Sequence, residues 1–197
     1  MSGSRPALSC IVLAAGSSRR FGSDKRQARL SDGRTLLEAT LSSIPPLFRQ
    51  RILVLQPGDT ALAEVHADSW QVIIADTARQ GMGHSLTAGL AACVGADAAL
   101  VVLADMPGVS LATYEALVQQ LRTNRIVFPR HDGRRGNPVG IGADFFTELA
   151  APDGDEGARR LVQLHPEAVH WVDCADAGIL QDIDRPEDLT DGRIPGY

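Results

Sequence analysis

Apolar runs and helical periodicities alternate along most of the chain. Short β-branched runs are typical of buried strands, and apolar residues at three- and four-residue intervals are typical of helices. The runs predict strands at Ser9–Leu13, Ile52–Gln56, Val72–Ala75, Ala99–Leu103 and Ile126–Pro129. The periodic stretches predict helices at Thr35–Ile44, Ala61–His66, His84–Val94 and Leu111–Arg122. This alternation predicts an α/β fold with a largely parallel, doubly wound sheet flanked by helices.

The alternation breaks after the last of these strands. A turn-rich stretch at 132–138 precedes the apolar segment Val139–Ile141. The later pattern predicts a helix at Gly157–Leu164, a strand-like segment at Ala168–Val172 and a terminal segment at Ile183–Leu189. Because neither an internal repeat nor a clear linker is visible, we expect a single domain over residues 1–197.

Composition narrows the class of protein. The chain has 197 residues, of which 44% are hydrophobic, and a formal net charge of −5. A general nucleic-acid-binding protein is not expected, because such domains carry a basic stripe. The three cysteines are far apart, which disfavours disulfides and zinc sites and fits a reducing cytoplasm. The sequence shows neither a signal-peptide core nor a bilayer-spanning stretch, so we expect a cytoplasmic protein without a membrane partner.

The loop after the first predicted strand combines small residues with cations. It contains Gly16, Gly22, Arg19, Arg20 and Lys25. Small residues let backbone N–H groups approach an anion, and cations neutralise it. The spacing matches neither a P-loop nor a dinucleotide-binding loop. The loop therefore predicts a site for a small polyphosphate, and the alternative is a solvated basic loop.

The position of Asp105 makes it a candidate metal ligand, and two more aspartates lie together near the end of the sequence. Asp105 ends an apolar strand and precedes a proline-stiffened turn, a place suited to a hard oxygen ligand. Magnesium takes one or two protein carboxylates and fills its other positions with water and phosphates. Asp182 and Asp184 are predicted on the same side of a short strand, before a helix that begins at Pro186. The alternative for Asp105 is a turn cap.

A glycine-containing turn before the third predicted helix is a further candidate binding segment. Gly81 and Gly83 would allow close backbone approach, and Ser85 would cap the helix or bond a ligand; the alternative is a simple turn. Ligands of doubly wound sheets gather beyond the carboxyl ends of strands. We therefore expect the Gly16 loop, Asp76, Asp105 and Met106 to converge on one crevice.

The chain resembles the MobA-like nucleotidyltransferases, which make molybdenum cofactor dinucleotides. The first loop carries the family signature, with Phe21 where methionine is usual. The matching residues are Leu13, Ala14, Ala15, Gly16, Ser18, Arg20, Gly22 and Lys25. Further similar segments are Gly81–Leu86, the Asp-x-Pro at Asp105, Gly136–Val139, Gly154–Arg159 and Asp182–Leu189.

The resemblance implies a GT-A-type fold and a set of site residues. Residues 6–110 would bind nucleotide and residues 111–192 the acceptor. It implies catalytic roles for Arg20, Lys25 and Asp105, and Mg²⁺ held by Asp105 and Asp184. The alternative for Asp184 is a plain helix cap. The implied nucleotide-binding residues are Leu13, Ala14, Ala15, Gly16, Arg20, Lys25, Asp76, Gly81, Gly83, Ser85 and Asp105. The implied acceptor-binding residues are Asn137, Pro138, Asp155 and Arg159, and the alternative for Arg159 is a salt bridge to Asp155. Arg26 and Arg29 are interpreted as solvated neighbours.

The resemblance also implies the reaction. Ala-Ala-Gly after the first strand is similar to the cytidylyl branch, whereas Met106 stands where many of its members carry glutamine. The expected reaction is transfer of CMP from CTP to molybdopterin, serving a molybdoenzyme of the xanthine dehydrogenase type. Alternatives are guanylyl transfer to the same acceptor and nucleotidyl transfer to a sugar or polyol phosphate. An alternative of another class is a non-catalytic nucleotide-binding accessory of a molybdoenzyme.

Overall fold

The structure, a computed structural model, describes residues 6–16, 18, 21–150 and 157–189, with the backbone alone at 157–160. The strands are Leu8–Leu13 (β1), Gln50–Leu55 (β2), Gln71–Ile74 (β3), Ala98–Leu103 (β4), Ile126–His131 (β5), Arg134–Arg135 (β6), Val139–Gly142 (β7) and Val169–Asp173 (β8). The α-helices are Leu36–Ser43 (α1), Thr60–His66 (α2), Met82–Ala91 (α3), Leu111–Gln120 (α4), Phe146–Leu149 (α5) and Gly157–Leu164 (α6). Short 3₁₀ helices cover Lys25–Gln27, Ala78–Gln80, Ala143–Phe145, Pro166–Ala168, Ala177–Leu180 and Pro186–Leu189. None of the described helices is long and apolar enough to cross a bilayer.

The strands form one mixed sheet with the order β3-β2-β1-β4-β7-β5-β6, and β8 pairs with β5. Strands β1 to β4 are mutually parallel where they pair, while β7 runs antiparallel to both β4 and β5. Strand β5 therefore points the same way as β4. The carboxyl ends of β1, β4 and β5 accordingly meet at one edge of the sheet, where ligands of such sheets bind.

Alternate residues of the central strands pack into two apolar layers, one on each face of the sheet. In β1, Cys10 and Val12 face the layer that contains α1 and α4, whereas Ile11 and Leu13 face the layer that contains α3. This division follows from the two-residue period of a strand that is covered on both faces. The core therefore lies above and below the sheet and leaves its edge free for a site.

One helix is tied directly to the strand end that carries the candidate metal ligand. Helix α1 begins with a capping box in which Thr35 and Glu38 exchange side-chain and backbone hydrogen bonds. Inside the helix, the Thr40 hydroxyl donates to the carbonyl of Ala104 at 3.0 Å. The residue before Asp105 is thus fixed by a buried side chain.

The predicted strands and helices are confirmed to within a few residues. The sheet is mixed because the segment at Val139–Gly142 returns antiparallel beside β4. The prediction of a short strand at Asp182–Asp184 is wrong. That segment lies in no strand and is held to the turn after β4 by the bond from Ile183 N to the carbonyl of Asp105, 3.0 Å long.

The approach of this terminal segment depends on one glycine. A Cβ added at Gly178 would lie 2.1 Å from the carbonyl oxygen of Gly108, in the turn that follows Asp105. Gly178 N also donates to the Asp176 carboxylate at 2.9 Å. Only a hydrogen atom fits at this crossing, so Gly178 allows the chain to bring Asp184 towards Asp105.

We expect Gly178→Ala to destabilise the fold, because the obstacle is backbone and cannot rotate away. Overpacking of this kind costs roughly 1–3 kcal/mol, measurable as a loss of unfolding free energy in urea. Gly16→Ala is the matched control, since no described atom lies within 4 Å of the added Cβ position. Wild-type stability for Gly178→Ala would show that the two segments can separate without cost.

Candidate active site

The ammonium group of Lys25 joins three segments at the carboxyl edge of the sheet. Its Nζ donates to Asp105 Oδ2 at 2.6 Å, to Asp184 Oδ1 at 2.9 Å and to the carbonyl of Ile183 at 3.0 Å. An ammonium has three N–H donors, so these acceptors satisfy all of them. Lys25, Asp105 and Asp184, which the sequence nominates separately, therefore form one contact cluster.

Asp105 is held rigidly at this point. Ala104 N donates to the carbonyl of Leu13 at 3.2 Å, which extends the pairing of β4 with β1 up to the site. The side chain of Asp105 is 18% exposed. Its Oδ1 atom is buried and has no hydrogen-bond partner among the described residues. A buried carboxylate oxygen without a donor is the kind of atom that a cation would satisfy.

For both Lys25 and Asp105, burial and the neighbouring opposite charge shift the pKa in opposite directions. Burial raises the pKa of the Asp105 carboxyl above its ordinary value, although the Lys25 charge opposes the rise. Burial alone would lower the pKa of Lys25, but Asp105 and Asp184 outweigh it and raise that pKa. Lys25 is therefore held in its cationic form, and its charge favours the ionised form of Asp105.

The residues present fit a divalent cation such as Mg²⁺. Two carboxylates and one backbone carbonyl converge on one point, and magnesium requires only one or two protein carboxylates. Within the described part of the chain, no group of three or more His, Cys, Asp or Glu side chains could hold a metal. The donor set therefore suits an ion that draws its remaining ligands from substrate phosphates and water.

The start of the first loop is fixed from the sheet side and open towards solvent. Ala14 N donates to the carbonyl of Val54 at 2.9 Å. Leu13, Ala14 and Ala15 are buried, and Ala15 packs in the apolar layer with α3. Gly16 is exposed, and its missing side chain leaves open space. A ligand could therefore approach the backbone at Gly16, while an effect of Ala15 on base choice would act through packing.

The turn before α3 differs from its prediction in one respect. Gly81 occupies the N-cap position with φ of 137°, a conformation that favours glycine, and Gly83 lies in the first turn. Ser85 is buried inside α3, which excludes the helix cap and leaves the bond to a ligand as the alternative for this residue. Asp76 is exposed after β3. These four residues lie beyond a strand end, and their ligand contacts stay a prediction.

The structure describes only some of the predicted acceptor-binding residues. Asn137 N donates to the carbonyl of Ile179 at 2.9 Å, and Asn137–Pro138 is a cis peptide. Asn137 thus adjoins the terminal segment that leads to Asp184. Arg20, Asp155 and the side chain of Arg159 lie outside the described residues. Met106 is 2% exposed and packs in the core, which removes its side chain from ligand contact.

The interpretation of Arg26 as a solvated neighbour is wrong. Arg26 is 5% exposed, and its guanidinium binds the carboxylates of Asp24 and Asp59 and the carbonyl of Ala14. Spacing along the sequence could not reveal this, because Asp59 comes from the turn before α2. Arg29 is exposed and donates to the carbonyl of Gly33, as a solvated position would.

Comparisons with known proteins give one family profile and relatives with several different names. The family profile described as MobA-like NTP transferase domain matches residues 10–169. The chain is 32% identical to purine catabolism protein PucB of Bacillus subtilis (strain 168), covering 93% of this chain and 94% of that protein. It is 29% identical to nicotine blue oxidoreductase of Paenarthrobacter nicotinovorans, covering 93% and 95% respectively.

Two further relatives are named as molybdenum cofactor transferases. The chain is 33% identical to a probable guanylyltransferase of Chloroflexus aggregans (strain MD-66 / DSM 9485), covering 84% of this chain and 79% of that protein. It is 24% identical to the cytidylyltransferase of Escherichia coli (strain K12), covering 93% and 94%. A solved structure of Rv0371c from Mycobacterium tuberculosis H37Rv, in complex with manganese, has a TM-score of 0.71 and 26% identity, covering 87% of this chain and 89% of that one.

A metal ion and the Lys25 ammonium would compete for the same oxygens. We expect Lys25→Met to bind Mn²⁺ about tenfold more tightly than the wild type in the absence of nucleotide, because a cation has been removed beside the site. Mn²⁺ titration followed by electron paramagnetic resonance measures this affinity directly. Arg29→Met is the matched control and should bind like the wild type. Unchanged or weaker binding by Lys25→Met would exclude these oxygens as the metal site.

Proposed function

Since the chain belongs to the MobA-like NTP transferase family, we propose that it transfers CMP from CTP to the phosphate of molybdopterin and releases pyrophosphate. The observation that carries this proposal is the contact of Lys25 with Asp105 and Asp184. Transfer between two phosphate-bearing substrates needs positive charge at fixed positions more than it needs covalent help from the protein. The site supplies one fixed cation and the oxygens for a second.

The reaction requires little proton transfer. An oxygen of the acceptor phosphate attacks the α-phosphorus of the nucleotide, and the bond to pyrophosphate breaks in line with the one that forms. The acceptor phosphate is already ionised near neutral pH, so no side chain has to act as a base. We assign to Lys25 and Arg20 the stabilisation of charge on the α-phosphate and on the departing pyrophosphate.

Asp105 and Asp184 are the residues that would hold Mg²⁺. The bound ion would supply neutralisation of charge between the donor and acceptor phosphates. Asp105 is suited to this role because its buried Oδ1 has no donor among the described residues. The backbone from Ala14 to Gly16, together with Asp76, Gly81 and Gly83, is the surface that we assign to the nucleotide. We assign Asn137, Pro138, Asp155 and Arg159 to the acceptor.

The choice of nucleotide has support on both sides. The Ala14-Ala15-Gly16 sequence favours the cytidylyl reaction, and a relative named as a cytidylyltransferase matches nearly the whole chain. Guanylyl transfer is the second candidate, because the relative named as a probable guanylyltransferase is the more identical of the two. A xanthine-dehydrogenase-type enzyme is our proposed recipient of the product, and similarity to a protein of purine catabolism supports it.

A non-catalytic accessory protein is the competing class of function. Such a protein would need the fold but not the charged cluster. The contacts of Lys25 with Asp105 and Asp184 favour a working enzyme, because two carboxylates around a largely buried ammonium are costly to retain for structure alone. Turnover decides between the two classes.

The proposed reaction is tested with purified protein, Mg²⁺, molybdenum-loaded molybdopterin and each of the four nucleoside triphosphates. We expect acceptor-dependent pyrophosphate release, with CTP preferred over GTP in kcat/KM by roughly ten- to two-hundredfold, a typical range for contacts of about 1–3 kcal/mol. Reactions without acceptor control for nucleotide hydrolysis. Equal use of CTP and GTP contradicts the cytidylyl assignment, and no release with any nucleotide favours the accessory role.

We expect Asp105→Asn to lower kcat at least about 100-fold, the scale of losing one electrostatic contact to a transition state. The amide keeps the size of the side chain but not its charge, so the fold should persist by circular dichroism. Asp144→Asn is the matched control. Asp144 is exposed and follows β7, which ends at the opposite edge of the sheet. Near-wild-type turnover by Asp105→Asn would remove this carboxylate from the mechanism.

A further inference from the structure

The buried guanidinium of Arg26 ties together three parts of the chain around the candidate site. Its Nε and Nη2 donate to the two oxygens of Asp24 at 2.8 Å each. Its Nη2 also donates to Asp59 Oδ1 at 2.8 Å, and its Nη1 donates to Asp59 Oδ2. A fifth bond, 2.7 Å long, runs from Nη1 to the carbonyl of Ala14. All five N–H donors of the guanidinium are therefore engaged.

These contacts connect the two ends of the first loop. Ala14 directly follows β1, and Asp24 directly precedes Lys25. Asp59 anchors the network outside the loop, since its Oδ2 also accepts from Gln56 N at 3.1 Å just after β2. The position of the loop is thereby fixed relative to two neighbouring strand ends rather than to one.

The bond to the Ala14 carbonyl also sets the direction of a backbone donor. In a planar trans peptide the carbonyl and the following N–H point in opposite directions. Because Arg26 holds the carbonyl of Ala14, the N–H of Ala15 faces away from the guanidinium. Arg26 therefore sets the orientation of the peptide between Ala14 and Ala15, which is part of the proposed nucleotide-binding backbone.

Arg26 and Asp24 favour each other's charged forms. Burial alone would lower the pKa of the Arg26 guanidinium, but its bonds to Asp59 and Asp24 more than offset this. The hydrogen bond from Arg26 is also the largest cause that holds the pKa of Asp24 below its ordinary value. A charged fork between two carboxylates is a geometrically specific contact.

We infer that Arg26 is a positioning residue for nucleotide binding, acting through the Ala14 carbonyl and through Asp24, the neighbour of Lys25. This inference rests on the proposed function only in requiring that a nucleoside triphosphate bind at the first loop. It assigns Arg26 no contact with the substrate. Arg26 sets where the loop backbone and Lys25 stand before the nucleotide arrives.

The inference is tested with Arg26→Met, which removes the fork but keeps a long apolar side chain. We expect its dissociation constant for CTP with Mg²⁺, measured by titration calorimetry, to rise about tenfold, because displacement of binding groups by an ångström can cost up to about a hundredfold. Urea unfolding at the temperature of the calorimetry verifies that every variant is folded there. A merely structural role would lower stability and leave the affinity of the folded protein unchanged.

Two further variants separate geometry from charge and from folding. Arg26→Lys keeps the charge, but a single ammonium cannot replace the planar fork between Asp24, Asp59 and Ala14, so it should bind CTP as weakly as Arg26→Met. If Arg26→Met fails to fold, Asp59→Asn tests the positioning role instead, and we expect its affinity for CTP to fall about threefold. Arg29→Met is the matched control and should bind like the wild type.

The outcomes distinguish this inference from the proposed function. Wild-type affinity in Arg26→Met, full rescue by Arg26→Lys, or wild-type affinity in a deciding Asp59→Asn overturns the positioning role alone. Failure of the wild-type protein to bind any of the four nucleoside triphosphates overturns both. Weakened binding by Arg26→Met and Arg26→Lys, with normal binding by Arg29→Met, supports the inference.

Discussion

The site depends on one cation between two buried or half-buried carboxylates. Asp105 reaches this point from the end of a central strand, and Asp184 from a segment close to the end of the described chain. The negative charges of these two residues would repel each other, because both side chains are partly shielded from water. Lys25 bonds to both and removes that cost. Its ammonium therefore holds the first loop, the strand end and the terminal segment together.

The fold makes this meeting possible through its backbone. The direction of β1 and β4 brings the first loop and Asp105 to the same edge of the sheet. The terminal segment has no strand pairing to guide it there. It depends instead on the crossing at Gly178, where no Cβ fits, and on the bond between Ile183 N and the Asp105 carbonyl. Backbone contacts thus bring Asp184 to the position where its charge matters.

Most of the architecture follows from hydrophobic pattern, because a covered parallel sheet demands apolar runs between helical periods. Lys25, Asp105 and Asp184 could be nominated from strand ends and family similarity. The contact between them could not, since it depends on how three distant segments cross. The interpretation of Arg26 as solvated is wrong for a related reason. A cationic residue in a basic stretch of sequence is interpreted as solvated when its carboxylate partner, here Asp59, is distant in the sequence.

Lys25 and Arg26 show how adjacent residues can serve the site and the scaffold at once. Both belong to one short 3₁₀ helix and both face paired carboxylates. Lys25 holds carboxylates that we assign to the reaction, whereas Arg26 holds Asp24 and Asp59, which we assign to the framework. A shift of either cation would move the other, because one peptide bond joins them. The geometry of the reaction centre is therefore coupled to a buried ion network that the substrates need never touch.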